Sequence, residues 1–392
     1  MTKSLPPHLQ ALLEANYPRY SDSEMERRRA AIARLMEQAG ADHLVFCGAN
    51  RFGSAVQWLT QWPVTAEAVG VFTPGQPDAM FVQYVNHARL AQQIATRTEV
   101  AWGGESGIRA AVKVLEQRGA RRDRVAVLGP MNFEQHGVLA ERFGNIASIN
   151  RPYVRLRQVK SAEELDWFRI GAWFSDLGMA GLRDGVRAGL NERELGDLVE
   201  RRYVALGGTN GIHYFGATAM RDPSVPVPRQ FPSTRRVQKG DIVFAEISAA
   251  FFDHTGQVLR SFAIGEDPPP LYQKLHATAD AAFDAIVAVL KEGATPAQVI
   301  EASSVIEDAG FTIIDDLLHG YGAGYLPPIL GCKSRPAGPI PEEPFRAGQV
   351  VVVQPNVVTP DHRAGVQTGE MLLITKTGVE RLHDFPRGFG RV

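Results

Sequence analysis

Gly240–Phe262 reads GDIVFAEISAAFFDHTGQVLRSF. Lys239-Gly240-Asp241 is a turn, and Ile242, Val243 and Phe244 have the β-branched and aromatic character of a strand. One carboxylate, Glu246, stands at the end of that apolar run. Burying a charge there is costly unless it has a partner or a task. Two later segments belong with it. Leu318-His319-Gly320-Tyr321-Gly322 sets a histidine between Leu317-Leu318 and glycines that let backbone approach a ligand. Val351-Val352-Val353-Gln354-Pro355-Asn356 is a Val-rich strand that ends in two amides.

In this order the three segments resemble the creatinase, prolidase and methionine aminopeptidase superfamily, and the resemblance covers nearly the whole chain. It implies an α+β pita-bread catalytic domain preceded by an α/β creatinase-like N-terminal domain. In the metallopeptidases of that family two Asp, the His of His-Gly-x-Gly, the Glu of Glu-Pro and a Glu near the C-terminus hold two metal ions. Matched residue by residue, those positions are Glu246, Gln257, His319, Gln354 and Gly369. A two-metal site needs several anionic oxygens against about four positive charges. A Gln carbonyl is a neutral, weak ligand and glycine offers none. The donors that survive are Glu246, His319 and, one residue past the lost ligand, Glu370. A site without metal or other cofactor is therefore expected. The alternative is a single divalent ion on Glu246, His319 and Glu370, since two carboxylates and a His form a known one-metal set.

At 392 residues the chain is too long for one ordinary core. The expected domains are 1–154 and 155–392, the second entered through RLRQVKSAEE at Arg155–Glu164. A formal net charge of −1 and the lack of any phosphate-tracking basic run speak against nucleic acid. The clusters Arg27-Arg28-Arg29 and Arg118 to Arg124 read as solvated helix ends. No apolar run is long enough for a membrane span, and the first ten residues do not read as a signal peptide. Only Cys47 and Cys332 are present, so nothing suggests an oxidising compartment, and a cytoplasmic protein is expected. Gly103-Gly104-Glu105 lacks the spacing of a dinucleotide loop.

Before about Ser21 the chain is Pro-rich and expected to be irregular. Ser23 with Glu26 suggests a capping box for the first long helix. Apolar runs at His43–Cys47, Ala68–Thr73, Ala79–Tyr84 and Arg124–Leu128 then alternate with helical patterns at His87–Thr96 and Ile108–Arg118, which argues layers of helix on sheet. Two helices are expected after residue 160, at Glu163–Leu182 and Asn191–Leu206, and two more at Leu271–Leu290 and after Thr295-Pro296. Strands at Phe311–Ile314, Gln349–Gln354 and Met371–Thr375 complete a coarse repeat of helix, helix and strands.

His319 is the expected proton carrier, with Glu246 and Glu370 flanking it to position or activate water. Leu326 replaces the second His of the peptidases. Gln257, Gln354, Gln367 and Asn356 are expected to face the old cage and hydrogen-bond substrate. Arg229 stands where, on a gapless count, the creatinases carry their catalytic His; with Arg260 it would grip an anionic group. Each carboxylate could instead be neutralised by an Arg such as Arg260. His213 and His254 are substitute bases, and Tyr214, Phe215, Tyr321 and Tyr325 form a candidate aromatic wall. The resemblance thus implies a metal-independent, creatinase-like hydrolase of a C–N bond in a small nitrogenous substrate, acting as a homodimer. A single-metal peptidase or lyase and an inactive peptidase-like binding module are the alternatives.

Overall fold

The apolar runs and helical periodicities resolve into two packed units in the computed structural model, which describes residues 4–50 and 52–392. One unit is Ala15–Arg157; the other is Gln158–Val392 joined by the residues up to Glu14. The N-terminal stretch is not wholly irregular: Pro7–Glu14 is a helix packed on Ala162–Gly185, while residues 1–3 lie outside the described residues.

In the Ala15–Arg157 unit a six-stranded sheet runs, edge to edge, through Thr98–Trp102, Asp78–Val82, Glu67–Phe72, His43–Ala49, Val125–Leu128 and Ile146–Ser148. Both faces are covered, one around Ile32, Phe46 and Trp58, the other around Val45, Leu115 and Phe143. Strand alternation divides Val45 from Phe46 between the two cores. The first long helix, Asp22–Gln38, is capped by Ser21 and not by Ser23: the Ser21 hydroxyl accepts from Glu24 N at 3.1 Å. Arg28 and Arg29 are likewise not solvated. Arg28 pairs with Glu24 at 2.7 Å, and Arg29 pairs with Asp78.

The second unit is built on a ten-stranded sheet. Its main path runs Gly324–Leu330, Leu318–Gly322, Val350–Val353, Gly369–Ile374, Val258–Ala263, Asp241–Phe251 and Thr209–Ala219. Val351, Val353 and Leu372 face a core shared with Leu275, Ile286 and Val299 of the later helices. Val350, Val352 and Met371, of opposite parity, face Phe168 and Ala172 of the Ala162–Gly185 helix. That helix sits unusually close to the hairpin beneath it. A Cβ on Gly171 would lie 2.1 Å from His254 O, and one on Gly256 would lie 2.3 Å from Ala172 Cα. The side-chain-free pair lets backbone pack on backbone, and Ser175 Oγ then bonds Gly256 O at 3.0 Å and accepts from Ala249 N at 2.9 Å. These contacts pin the strand that carries Glu246 and the connection that carries Gln257.

Candidate active site

Cross-strand partners point to the same face of a sheet, and neighbours along a strand to opposite faces. Glu246 lies opposite Leu259 and Tyr214; Gln257, two residues before Leu259, shares its face. His319 lies opposite Val352, and Gln354 follows two residues after it. Met371 also opposes Val352, which brings Gly369 to that face. All five positions that the resemblance assigns to a metal cage therefore converge.

The side chains there form a hydrogen-bonded chain. Gln257 donates Nε2 to Glu246 Oε1 at 2.8 Å and to Gln354 Oε1 at 3.2 Å. Gln354 donates its own Nε2 to Asp316 O at 3.3 Å and Oδ2 at 3.4 Å. Asp316 Oδ2 faces His319 Nε2 across 3.9 Å. Asn356, fully buried, donates to Asp315 Oδ2 at 2.9 Å. His319 is also fully buried; its Nδ1 contacts Gly320 O at 3.0 Å, which assigns the proton of the neutral ring to Nδ1, and its Nε2 makes no hydrogen bond. Tyr325 stacks on this imidazole at 3.7 Å and Tyr321 meets it edge-on at 5.4 Å, so two members of the expected aromatic wall do flank the site.

Burial, and then repulsion from Asp315 and Asp316, pushes the Glu246 carboxyl up to about 8. Burial raises Asp315 to about 7, with Asp316 adding to it against the hydrogen bond from Asn356. His319 moves the other way: burial lowers it, against the pull of Asp316. At neutral pH the site thus pairs a carboxylic acid at Glu246 with a neutral imidazole at His319. Tyr214 is raised by burial and by Glu246.

Other expected members stand elsewhere. Glu370 is opposite Val353 and Val258, one residue and hence one face away from Gly369. Its carboxylate is taken by Arg260 at 2.7 Å and by Arg381. Burial alone would raise it, but the two guanidinium groups hold it below the usual carboxylate range. It neither flanks His319 nor completes a metal set with Glu246. Arg260 is consumed too, donating to Pro386 O, Leu259 O, Gly369 O and Phe385 O besides Glu370, so it grips no substrate anion. Arg229 is a half-buried partner of the buried Glu192 at 3.2 Å. His213 is occupied at both nitrogens, Nε2 by Tyr203 Oη at 2.5 Å and Nδ1 by Ser248 N at 3.2 Å, and burial lowers it to about 4. His254 packs on Trp167 and Phe168. Gln367 is buried, with its backbone tied to Ser261 Oγ, and no contact joins its amide to Glu246.

Asp315 and Asp316 were not among the expected residues. Their signal is plain in retrospect: two adjacent carboxylates open the apolar run that carries His319.

The family model for metallopeptidase family M24 matches residues 168–376, more than half of the chain and the whole of this constellation. The chain belongs to family M24. Within the creatinase and prolidase group, it is 22% identical over 231 residues to the Xaa-Pro dipeptidase of Pyrococcus furiosus, a match spanning 58% of this chain and 63% of that protein. It is 20% identical over 412 aligned positions to the creatinase of a Bacillus species, covering 95% and 93% of the two chains. The Xaa-Pro dipeptidase structure from Bacillus anthracis superposes with a TM-score of 0.80 at 16% identity, over 94% of this chain and all of that one. These likenesses establish the pita-bread fold and its N-terminal partner.

The M24 two-metal cage does not fit the residues present. Gln257 turns an N–H toward Glu246 where a cage would need an oxygen on a shared cation. A Cβ on Gly369 would lie 2.5 Å from Val353 O and 2.8 Å from Gln354 Cα, so no side chain can be accommodated there without moving backbone. Among the described residues no group of three or more His, Cys, Asp or Glu is arranged to hold a metal ion. Nor is any described helix long and apolar enough to cross a membrane.

Proposed function

We propose that this M24 protein hydrolyses a C–N bond in a small, non-peptide substrate without a metal ion. One observation carries the reading: the amides of Gln257 and Gln354 link Glu246 to Asp316 by hydrogen bonds, at positions where the resemblance calls for cation-binding carboxylates. Two groups on one face then have complementary protonation states. Neutral His319 offers the Nε2 lone pair to take a proton from water, and the hydroxide equivalent attacks carbon. Glu246, protonated at neutral pH, gives its proton to the departing nitrogen as the C–N bond breaks. Asp316, 3.9 Å from Nε2, stabilises the imidazolium formed in between.

The test is turnover across a panel of small amides, ureas, amidines and dipeptides, followed by His319→Ala on whichever substrate reacts. The variant should lose about 10²- to 10⁴-fold in kcat, the usual worth of a positioned base. Turnover of Xaa-Pro dipeptides alone, or an unchanged rate in His319→Ala, would refute the reading.

A homodimer belongs to the same proposal. In the Ala15–Arg157 unit Phe52, Tyr84, Val85, Trp102 and Phe133 are all at least half exposed, and the strand directions place them at or just beyond the C-terminal ends of four strands, along one end of the sheet. Such a rim suits burial against another protein surface. Light scattering on the full chain would show a mass of twice 42.9 kDa if the rim is covered by a second copy.

A further inference from the structure

The basic triplet Arg27-Arg28-Arg29, read from the sequence as a solvated helix end, puts the Arg29 side chain into the wall of a cleft in the Ala15–Arg157 unit. The cleft holds about 460 Å³ between the Asp22–Gln38 helix and the turn at residues 74–77, a size usual for small-molecule sites. Ala30 and Ala33 of the helix, with Phe72 and Pro74 across from them, make its walls largely apolar. A Cβ on Gly75 would meet nothing within 4 Å, so the turn leaves that space open.

In this wall an ion pair is half made. Arg29, with its side chain more than nine-tenths buried, spends Nη2 on Asp78 Oδ2 at 2.5 Å and on Thr96 O at 3.1 Å. Its Nη1 has no hydrogen-bond partner, and neither has Oδ1 of Asp78, which is 1% exposed. An arginine and a carboxylate often close as a two-bond fork; here a single bond joins them, and one donor and one acceptor are left over on the same pair. Leaving such groups unmade in a buried place is costly. Burial pushes the Asp78 carboxyl up to about 6, against the pull of Arg29, so it is still mainly an acceptor at neutral pH.

Charge narrows what could meet them. Arg29 pairs with Asp78 and Arg97 with Glu26, while Arg118 is spent on Thr73 Oγ1 and Pro77 O. An added anion or cation would therefore stand unbalanced, and a neutral ligand would not. A ring amide carries a C=O acceptor and an N–H donor on one edge, the complement of Nη1 and Oδ1. Both atoms are shut off from solvent, but the Arg97–Glu26 pair at the cleft is more than half exposed at each end, and such pairs are worth little. The side chains around Arg29 can thus yield at small cost.

We propose that this cleft is a second ligand site, one that takes a neutral, planar cyclic amide, its ring against Ala30, Ala33 and Phe72 and its amide edge on Arg29 Nη1 and Asp78 Oδ1. The hydrolase reading can fail without affecting it.

The test is calorimetric titration of the full-length protein with oxindole, N-methyloxindole, benzoate and benzamidinium as separate probes. The first two share a ring system and a carbonyl and differ in the N–H; the last two carry a charge. One oxindole should bind per chain, at least tenfold more tightly than any of the other three. Ala30→Trp, a change at an exposed helix position that fills the cleft, should abolish this binding, and Arg29→Met should weaken it tenfold or more. Should Arg29→Met fail to fold, Ala30→Trp and the ranking of probes on the unaltered protein still decide. No heat of binding with millimolar oxindole overturns the inference, and so does N-methyloxindole or benzoate binding as tightly as oxindole. Affinity that survives Ala30→Trp and is lost in His319→Ala overturns it too, because the probe would then sit in the active site.

Discussion

Gln257 Nε2 lies 2.8 Å from Glu246 Oε1, so an amide hydrogen stands between two side chains that the M24 resemblance would have as metal-binding carboxylates. The hydrogen bond is wholly buried, and its loss leaves Glu246 and Gln354 each short of a donor. Gln257→Met, nearly equal in volume, should therefore destabilise the fold by about 1–3 kcal/mol in urea unfolding. A variant as stable as the parent would mean that the amide bridge contributes nothing.

Glu246 also sets a pH dependence whose sign can be worked out. Its folded value of about 8 exceeds the ordinary 4.5, so between those limits the folded protein holds more proton at this site than the unfolded chain. The stability linked to it is complete below the lower limit and is lost as pH rises through the upper one. Glu246→Gln removes the titration. The gain in stability of this variant over the parent should grow from pH 5 to pH 8, reaching on the order of a few kcal/mol. A pH-independent difference would place the carboxyl in a less buried, ordinary environment.

Glu370 is predicted to be structural. Removing it leaves Arg260 buried and without its counter-charge, a change that typically costs about 3–5 kcal/mol. Glu370→Ala should show that loss in chemical denaturation, while kcat of the folded fraction stays within about twofold, far short of the 10²-fold or more lost with a positioned acid or base. A large loss of kcat at unchanged stability would return Glu370 to the active site.

Restoring the family's acid at position 369 should not restore a cage. The new Cβ of Gly369→Glu meets Val353 O at 2.5 Å, so backbone must shift, at a typical overpacking cost of about 1–3 kcal/mol or more. The expected result is a lower Tm with no gain in Mn²⁺ affinity, read by thermal melts with and without the ion.

Much of this was legible in the chain because it is local. Asn191 with Glu194 and Thr295 with Gln298 form capping boxes whose residues can be read directly in the chain, since a cap needs only residues three apart. Glu246, Gln257 and Gln354 are joined by hydrogen bonds, at positions that the resemblance, and not any local pattern, grouped together. What was not legible depends on register and on distant partners. Glu370 and Gly369 differ by one residue, and that alone decides which face of the sheet each occupies. Arg260, read as an anion clamp, finds Glu370 and Gly369 O on the neighbouring strand and Phe385 O and Pro386 O in the C-terminal turn, partners that only folding brings to it. Asp315 and Asp316 are visible as a carboxylate pair in the chain, but their place beside Asn356, Gln354 and Glu246 is set only by the folded sheet.

The central claim, hydrolysis without a bound ion, is tested most directly by elemental analysis of protein purified without added metal, paired with turnover in excess chelator. The account predicts no stoichiometric transition metal and an unchanged rate. Two tightly held ions per chain, with activity that disappears on chelation and returns on their readdition, would contradict it.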